Sequence, residues 1–158
     1  MADNLTPELV DYLLAILYLT IRRGERCCIK LIEVSKILGV AKPTTSLMLK
    51  KLLRMGLITK SSEGVAISEL GLEVSRAITK KHEVLENMLI QHGLDHDRAC
   101  EVARALELIV NDADITKIAR TLEGSQSVCD KLQCRLNSAV RSRKGKRLPL
   151  RDTRSLFT

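Results

Sequence analysis

The chain has 158 residues, 45% of them apolar but only 2% aromatic, enough for one ordinary domain or a small domain with an appendage. Tyr12, Tyr18 and Phe157 are the whole aromatic complement, which argues against a base-stacking single-strand binder and predicts a core of Leu, Ile, Val, Ala and Met in packed helices. The net charge of +7 is uneven: Arg22 to Lys60 carries ten basic residues against Glu25 and Glu33, the stretch to Asp130 is acidic by comparison, and 135–158 holds eight basic residues against Asp152, a pattern that predicts a polyanionic partner.

In chain order, Thr6-Pro7-Glu8 is a helix start, with a capping hydroxyl, Pro at the first helical position and an acid in the first turn. Leu9, Leu13, Ile16 and Leu17 form its apolar stripe, which weakens at Thr20, and Gly24 ends it after Arg23. The run Leu13–Leu19, flanked by Asp11 and Arg22, is too short to span a bilayer, and no secretory signal is visible. The expectation is a cytoplasmic protein with no membrane partner and mostly reduced cysteines.

Cys28 and Ile29 predict a short strand. Ile32–Leu38 predicts a second helix, closed by Gly39. Pro43 opens a third, with Thr45, Met48, Leu49 and Leu52 on one buried face and Thr44, Leu47, Lys51 and Arg54 turned away from it. Gly56 stops that helix, and Leu57–Lys60 and Val65–Ile67 predict a hairpin around Ser61-Ser62-Glu63-Gly64. Ser68 caps a long helix ending near Gly93. Asp97 is expected to cap the next, striped by Val102, Ala103, Leu106, Ile109 and Val110, and Asp114 to start a short one ending near Gly124. Ser125-Gln126-Ser127 is expected to be a linker, and the charged segment from Arg135 a flexible tail.

The fold class is therefore mostly α, and the order helix, strand, helix, turn, helix, hairpin is that of a winged helix-turn-helix. A helix fits the major groove of double-stranded DNA. The DNA-contacting set is Lys42, Pro43, Thr44, Thr45, Ser46, Leu47, Lys50, Lys51 and Arg54 on the helix, with Lys60, Ser61 and Ser62 on the wing. Thr44 and Leu47 would face base edges, while the lysines and Arg54 would meet phosphates. The plainer reading is a solvated basic helix in an interaction module.

The phrases "DYLLAILYL", "VAKPTTSLMLKKLLRMGLI", "GVAISELG" and "KKHEVLENMLIQHGLD" resemble the metal-dependent repressors of the diphtheria toxin repressor and manganese transport regulator family, from about Asp11 to Leu122. The resemblance implies a winged helix-turn-helix over 1–67, a helical dimerisation and metal-binding domain over 68–124, a linker and tail over 125–158, and a homodimeric transcriptional repressor whose protomers each read half of a near-palindromic site. The alternative is a winged-helix architectural protein binding nucleic acid without sequence preference. Of the ligand positions that the family implies, Asp11, His82 and Glu107 keep a donor, whereas Leu14, Arg104 and Leu108 cannot ligate. The primary site is thus expected to be broken; the plainer expectation for Arg104 is a solvent-facing side chain, and the sharper one a replacement cation paired with Asp11 or Glu107.

A second set survives better: His82 and Glu86 stand one helical turn apart, and Cys100 occupies the place of a family histidine. These three could hold zinc, manganese, iron or another divalent transition metal, with Glu101 or His96 assisting. The same residues read slightly more readily as a polar pair and a small buried thiol, with no metal at all. His92 and His96 flank a helix junction and are expected at the surface. Cys27, Cys28, Cys129 and Cys134 are inert by default, with oxidant sensing by Cys27 as the sharper reading. With no Gly-rich phosphate loop and no clear nucleophile–base pair, no catalytic residue is assigned and the chain is not expected to be an enzyme.

Overall fold

Pro7 and Glu8 open α1 (Pro7–Arg23), which buries Leu9, Leu13, Leu14 and Ile16 and ends at Gly24, held at φ 72. Thr20, the polar break in the stripe, donates its hydroxyl to the Ile16 carbonyl at 2.8 Å and so stays buried. The computed structural model describes residues 5–24, 28–122 and 131–144, which fall into two units: residues 8–76, and residues 77–158 together with the first seven.

In the first unit, α2 (Leu31–Leu38) starts where Glu33 accepts the Lys30 amide at 2.8 Å, and ends at Gly39 in the left-handed conformation. Arg23 ties the end of α1 to this point, reaching the Cys28 carbonyl at 2.8 Å and Glu33 at 2.5 Å. Helix α3 (Lys42–Arg54) packs against α2 and begins one residue earlier than Pro43, with Ala41 as its cap. The wing follows: β1 (Ile58–Lys60) pairs antiparallel with β2 (Val65–Ile67), Ile58 opposite Ile67 and Lys60 opposite Val65. The strand expected at Cys28–Ile29 shrinks to a single bridge, in which Ile29 and Val65 exchange backbone hydrogen bonds at 2.9 and 3.0 Å. Gly64 is required there, because a Cβ would come within 2.6 Å of the Ile29 carbonyl oxygen.

Helix α4 (Glu69–Gln91) begins as expected: the Ser68 hydroxyl accepts the Gly71 amide at 2.9 Å and donates to the Gly56 carbonyl at 2.6 Å. In the second unit, Val84 and Leu85 of α4 form a core with Ala103 of α5 (His96–Leu106) and Ile115 of α6 (Asp112–Thr121). The caps differ from expectation. Asp95, not Asp97, caps α5 by accepting the Arg98 amide at 3.0 Å, and Asp97 lies in the first turn. Asn111, not Asp114, caps α6: its Oδ1 accepts the Asp114 amide and its Nδ2 donates to the Asp114 carboxylate, both at 2.8 Å. In both places two cap-competent residues lie close together, and the backbone selects the earlier one.

The largest departure is at the C-terminal end. The tail expected to be flexible forms α7 (Lys131–Lys144), which packs against α5 and buries Leu132, Leu136, Ala139 and Val140. These four residues recur at helical spacing and make one apolar stripe inside a basic sequence. The expected linker at 125–127 and the segment beyond 144 lie outside the described residues, as do Cys27 and Cys129.

Candidate nucleic-acid interface and metal centre

The outer face of α3 presents Lys42, Pro43, Thr44, Lys50, Lys51 and Arg54, all exposed, around Leu47, which is 53% exposed. Ser46 is half-buried. Thr45 does not belong with them: it is fully buried, and its hydroxyl donates to the Ala41 carbonyl at 3.1 Å. The helical spacing had already placed Thr45 on the inner face, and that spacing prevails over its neighbours' exposure. On the wing, Lys60, Ser61 and Ser62 are exposed, and the Ser61 amide closes the loop on the Gly64 carbonyl at 2.9 Å. Between α3 and the wing runs a groove of about 290 Å³ lined by Ser46, Lys50, Lys60, Ser61 and Ser62, with Lys30 at its edge. Lys30 was not singled out from the sequence; its only signal was membership of the basic zone.

A half-exposed leucine ringed by hydroxyls and ammonium groups suits a surface that meets both base methyls and phosphates. In this same unit Cys28 adopts φ 68, rare for a residue with a Cβ, and its thiol lies 3.2 Å from a Glu63 carboxylate oxygen.

The second unit gathers titratable groups in its interior. His82 and Glu86 come from one face of α4 and Cys100 from α5; the three are 1%, 5% and 0% exposed. Their candidate ligand atoms lie within 4.8 Å of one another, the one group of this kind among the described residues. His82 Nε2 is 3.3 Å from Cys100 Sγ, and its Nδ1 is 2.8 Å from Glu107 Oε2. His96 stands at the edge, its Nε2 3.5 Å from Glu86 Oε1, while Glu101 pairs with Arg98 at the surface. His92 is exposed, with Nδ1 2.8 Å from the Met88 carbonyl oxygen.

Glu107, at the C-terminal end of α5, is completely buried. It meets Arg135 of α7, whose Nε donates to both carboxylate oxygens at 2.9 and 3.1 Å and whose Nη2 donates to Oε1 at 2.5 Å. Arg135 is itself only 1% exposed. Glu107 thus accepts from the guanidinium while its Oε2 also faces Nδ1 of His82. Nothing local marked Arg135 among the eight basic residues of 135–158.

Burial alone pulls the His82 imidazole down. The hydrogen bonds to Cys100 and Glu107 and their negative charge outweigh it and hold the group up, from an ordinary 6.5 to about 9. A divalent cation taking Nε2 must therefore displace a proton. The donor set of imidazole, thiol and carboxylate has the mixed nitrogen, sulfur and oxygen character that transition metals accept.

The residues of the expected primary site fall in both units. Glu107 is held by Arg135 and His82, and neither Glu107 nor Asp11 belongs to the His82–Glu86–Cys100 group. Asp11 is buried in α1 within the first unit, as is Leu14, and Arg104 is half-buried in the second.

Comparison with known proteins accounts for both surfaces. Residues 4–65 match the N-terminal DNA binding domain of the iron dependent repressors, and residues 68–146 match the metal binding and dimerisation domain of the same family, a span that takes in α7. An uncharacterized HTH-type transcriptional regulator of Methanocaldococcus jannaschii, MJ0568, is 31% identical over 121 residues, covering 75% of this chain and 95% of the relative. Among solved structures, the hypothetical protein SSo2273 from Sulfolobus solfataricus superposes with a TM-score of 0.64 at 25% identity, over 77% of this chain and 92% of that one. The manganese regulator SloR superposes with a TM-score of 0.65 at 28% identity over 77% of this chain, which spans 56% of SloR's length. No helix among the described residues is long and apolar enough to cross a membrane. The chain belongs to the iron-dependent repressor family: it is a DNA-binding transcriptional regulator with a winged helix-turn-helix and a helical metal-binding and dimerisation domain.

Proposed function

We propose that this regulator acts in the cytoplasm as a homodimeric, sequence-specific repressor whose metal response is altered from that of the manganese regulators it resembles, and that it carries out no catalysis. Residues 1–67 read DNA and 68–124 dimerise, with α7 added to the second part. Thr44 and Leu47 contact base edges, while Lys42, Lys50, Lys51, Arg54 and Lys60 contact phosphates, with Pro43, Ser46, Ser61 and Ser62 completing the surface. A cation site is formed by His82, Glu86 and Cys100.

The observation that carries the altered response is the buried thiol beside His82. A thiolate favours zinc or another thiophilic metal over manganese, which prefers oxygen donors. Leu14 and Leu108 bring no donor to the other position that the family resemblance implies, and Glu107 already serves Arg135. Bound metal would supply a fixed positive charge joining α4 to α5 in the dimerisation domain.

The test selects a duplex from a random pool, then measures binding to it in chelator and with zinc or manganese, against random competitor DNA. Selective binding that responds to zinc and not to manganese is expected. Equal binding to random DNA would leave an architectural protein, and a manganese response with none to zinc would remove the thiolate site.

A further inference from the structure

Arg135 is a cation buried in the second unit, 1% exposed. From it a continuous polar chain crosses three helices: the guanidinium of α7, the Glu107 carboxylate at the end of α5, the His82 imidazole of α4, and the Cys100 thiol of α5. Each link is within 3.3 Å, and every member is at most 1% exposed. A hydrogen bond from a ligating histidine's second nitrogen fixes the ring's orientation. Here that bond is made by a carboxylate whose own position depends on another helix.

We infer that Arg135 is a positioning residue for the His82–Glu86–Cys100 centre, and that cation binding there and docking of α7 are thermodynamically linked through Glu107. This rests on the metal reading above. Arg135 holds both oxygens of Glu107, Oε1 by two donors and Oε2 by one, and the carboxylate so fixed meets Nδ1 through Oε2 and leaves Nε2 facing Cys100 in the group shared with Glu86. Without Arg135 the carboxylate loses its anchor and the imidazole its orientation. Linkage makes the effect reciprocal: a cation on His82 strengthens the hold on α7 by the same factor.

Cobalt(II) provides the probe, because thiolate-to-cobalt charge transfer and ligand-field bands report both affinity and coordination. Titrations on the full chain compare wild type with Arg135→Gln, Glu107→Gln and the double variant. The expected result is an affinity about 10–100-fold weaker in each single variant, altered ligand-field bands, and no further loss in the double variant. Hydrogen exchange of α7 amides should slow on cobalt addition in wild type and not in Arg135→Gln. If Arg135→Gln does not fold, Arg135→Lys, which keeps the charge but not the two-pronged contact, is held to the same criteria with an intermediate loss expected. Unchanged affinity and spectrum in the Arg135 variant, or losses that multiply in the double variant, would overturn the linkage while leaving the metal site standing. Wild-type protein that takes up no cobalt would remove the metal reading and the linkage together.

Discussion

Arg135 and Glu107 illustrate how a buried charge depends on its partner. Removing one member of such a pair costs about 3–5 kcal/mol when the other is left with no partner, so Arg135→Ala, which leaves Glu107 only His82, should lower unfolding stability by no more than that in metal-free urea titrations. Replacing both by apolar residues should restore much of the loss. His82 adds a pH dependence. Its folded-state value of about 9 exceeds the ordinary 6.5, so the folded protein binds the extra proton between those limits. The stability from this group is fully present below about pH 6.5 and is lost as pH rises through about 9. Denaturation of metal-free protein across that range should show the decline, and His82→Gln should flatten it. The sequence disclosed His82 and Glu86 because four residues of helix put them on one face. Cys100 emerged only through family resemblance, since 18 residues separate it from His82. Arg135 was hidden altogether: nothing local distinguishes a buried arginine from its solvated neighbours when its partner stands 28 residues away.

Elements with a strong local signal were legible. The Pro at the start of α1, the Gly39 stop of α2 and the hairpin around Gly64 each answer to backbone chemistry within a few residues. The α5 and α6 caps were legible as regions but not as residues, because Asp95 competes with Asp97 and Asn111 with Asp114. Asp95→Ala should cost about 1 kcal/mol of stability by thermal or chemical denaturation, more than the same change at Asp97 in the first turn. Helix α7 was misread because net charge was weighed above periodicity. Its stripe includes Ala139, a weak hydrophobic signal that gains its meaning only against α5. Leu136→Ala should destabilise by about 2–5 kcal/mol in urea titrations, an effect that a flexible tail could not produce. Gly71, in the first turn of α4, tolerates no side chain. A Cβ there would lie 2.0 Å from the Leu57 carbonyl oxygen, so Gly71→Ala should disturb the junction of wing and helix and show as a lowered melting temperature.

At the scale of the whole regulator, two copies double every contact with DNA. On the proposed interface Lys51 meets one phosphate per protomer, so in Lys51→Ala the slope of log affinity against log salt should fall by about 2 for the dimer while preference among sequences is kept. Thr44→Ala should do the opposite, relaxing the base preference at symmetry-related positions with little change in slope. The exposed Leu47 has a chemical corollary. An aliphatic side chain that packs against thymine senses the C5 methyl and not the rest of the base. Enzymatic methylation of cytosine puts the same methyl at the same place in the groove. A duplex with cytosine in place of that thymine, weak when unmodified, should regain affinity once methylated in each half-site, which would make this regulator responsive to epigenetic marking of its own operator.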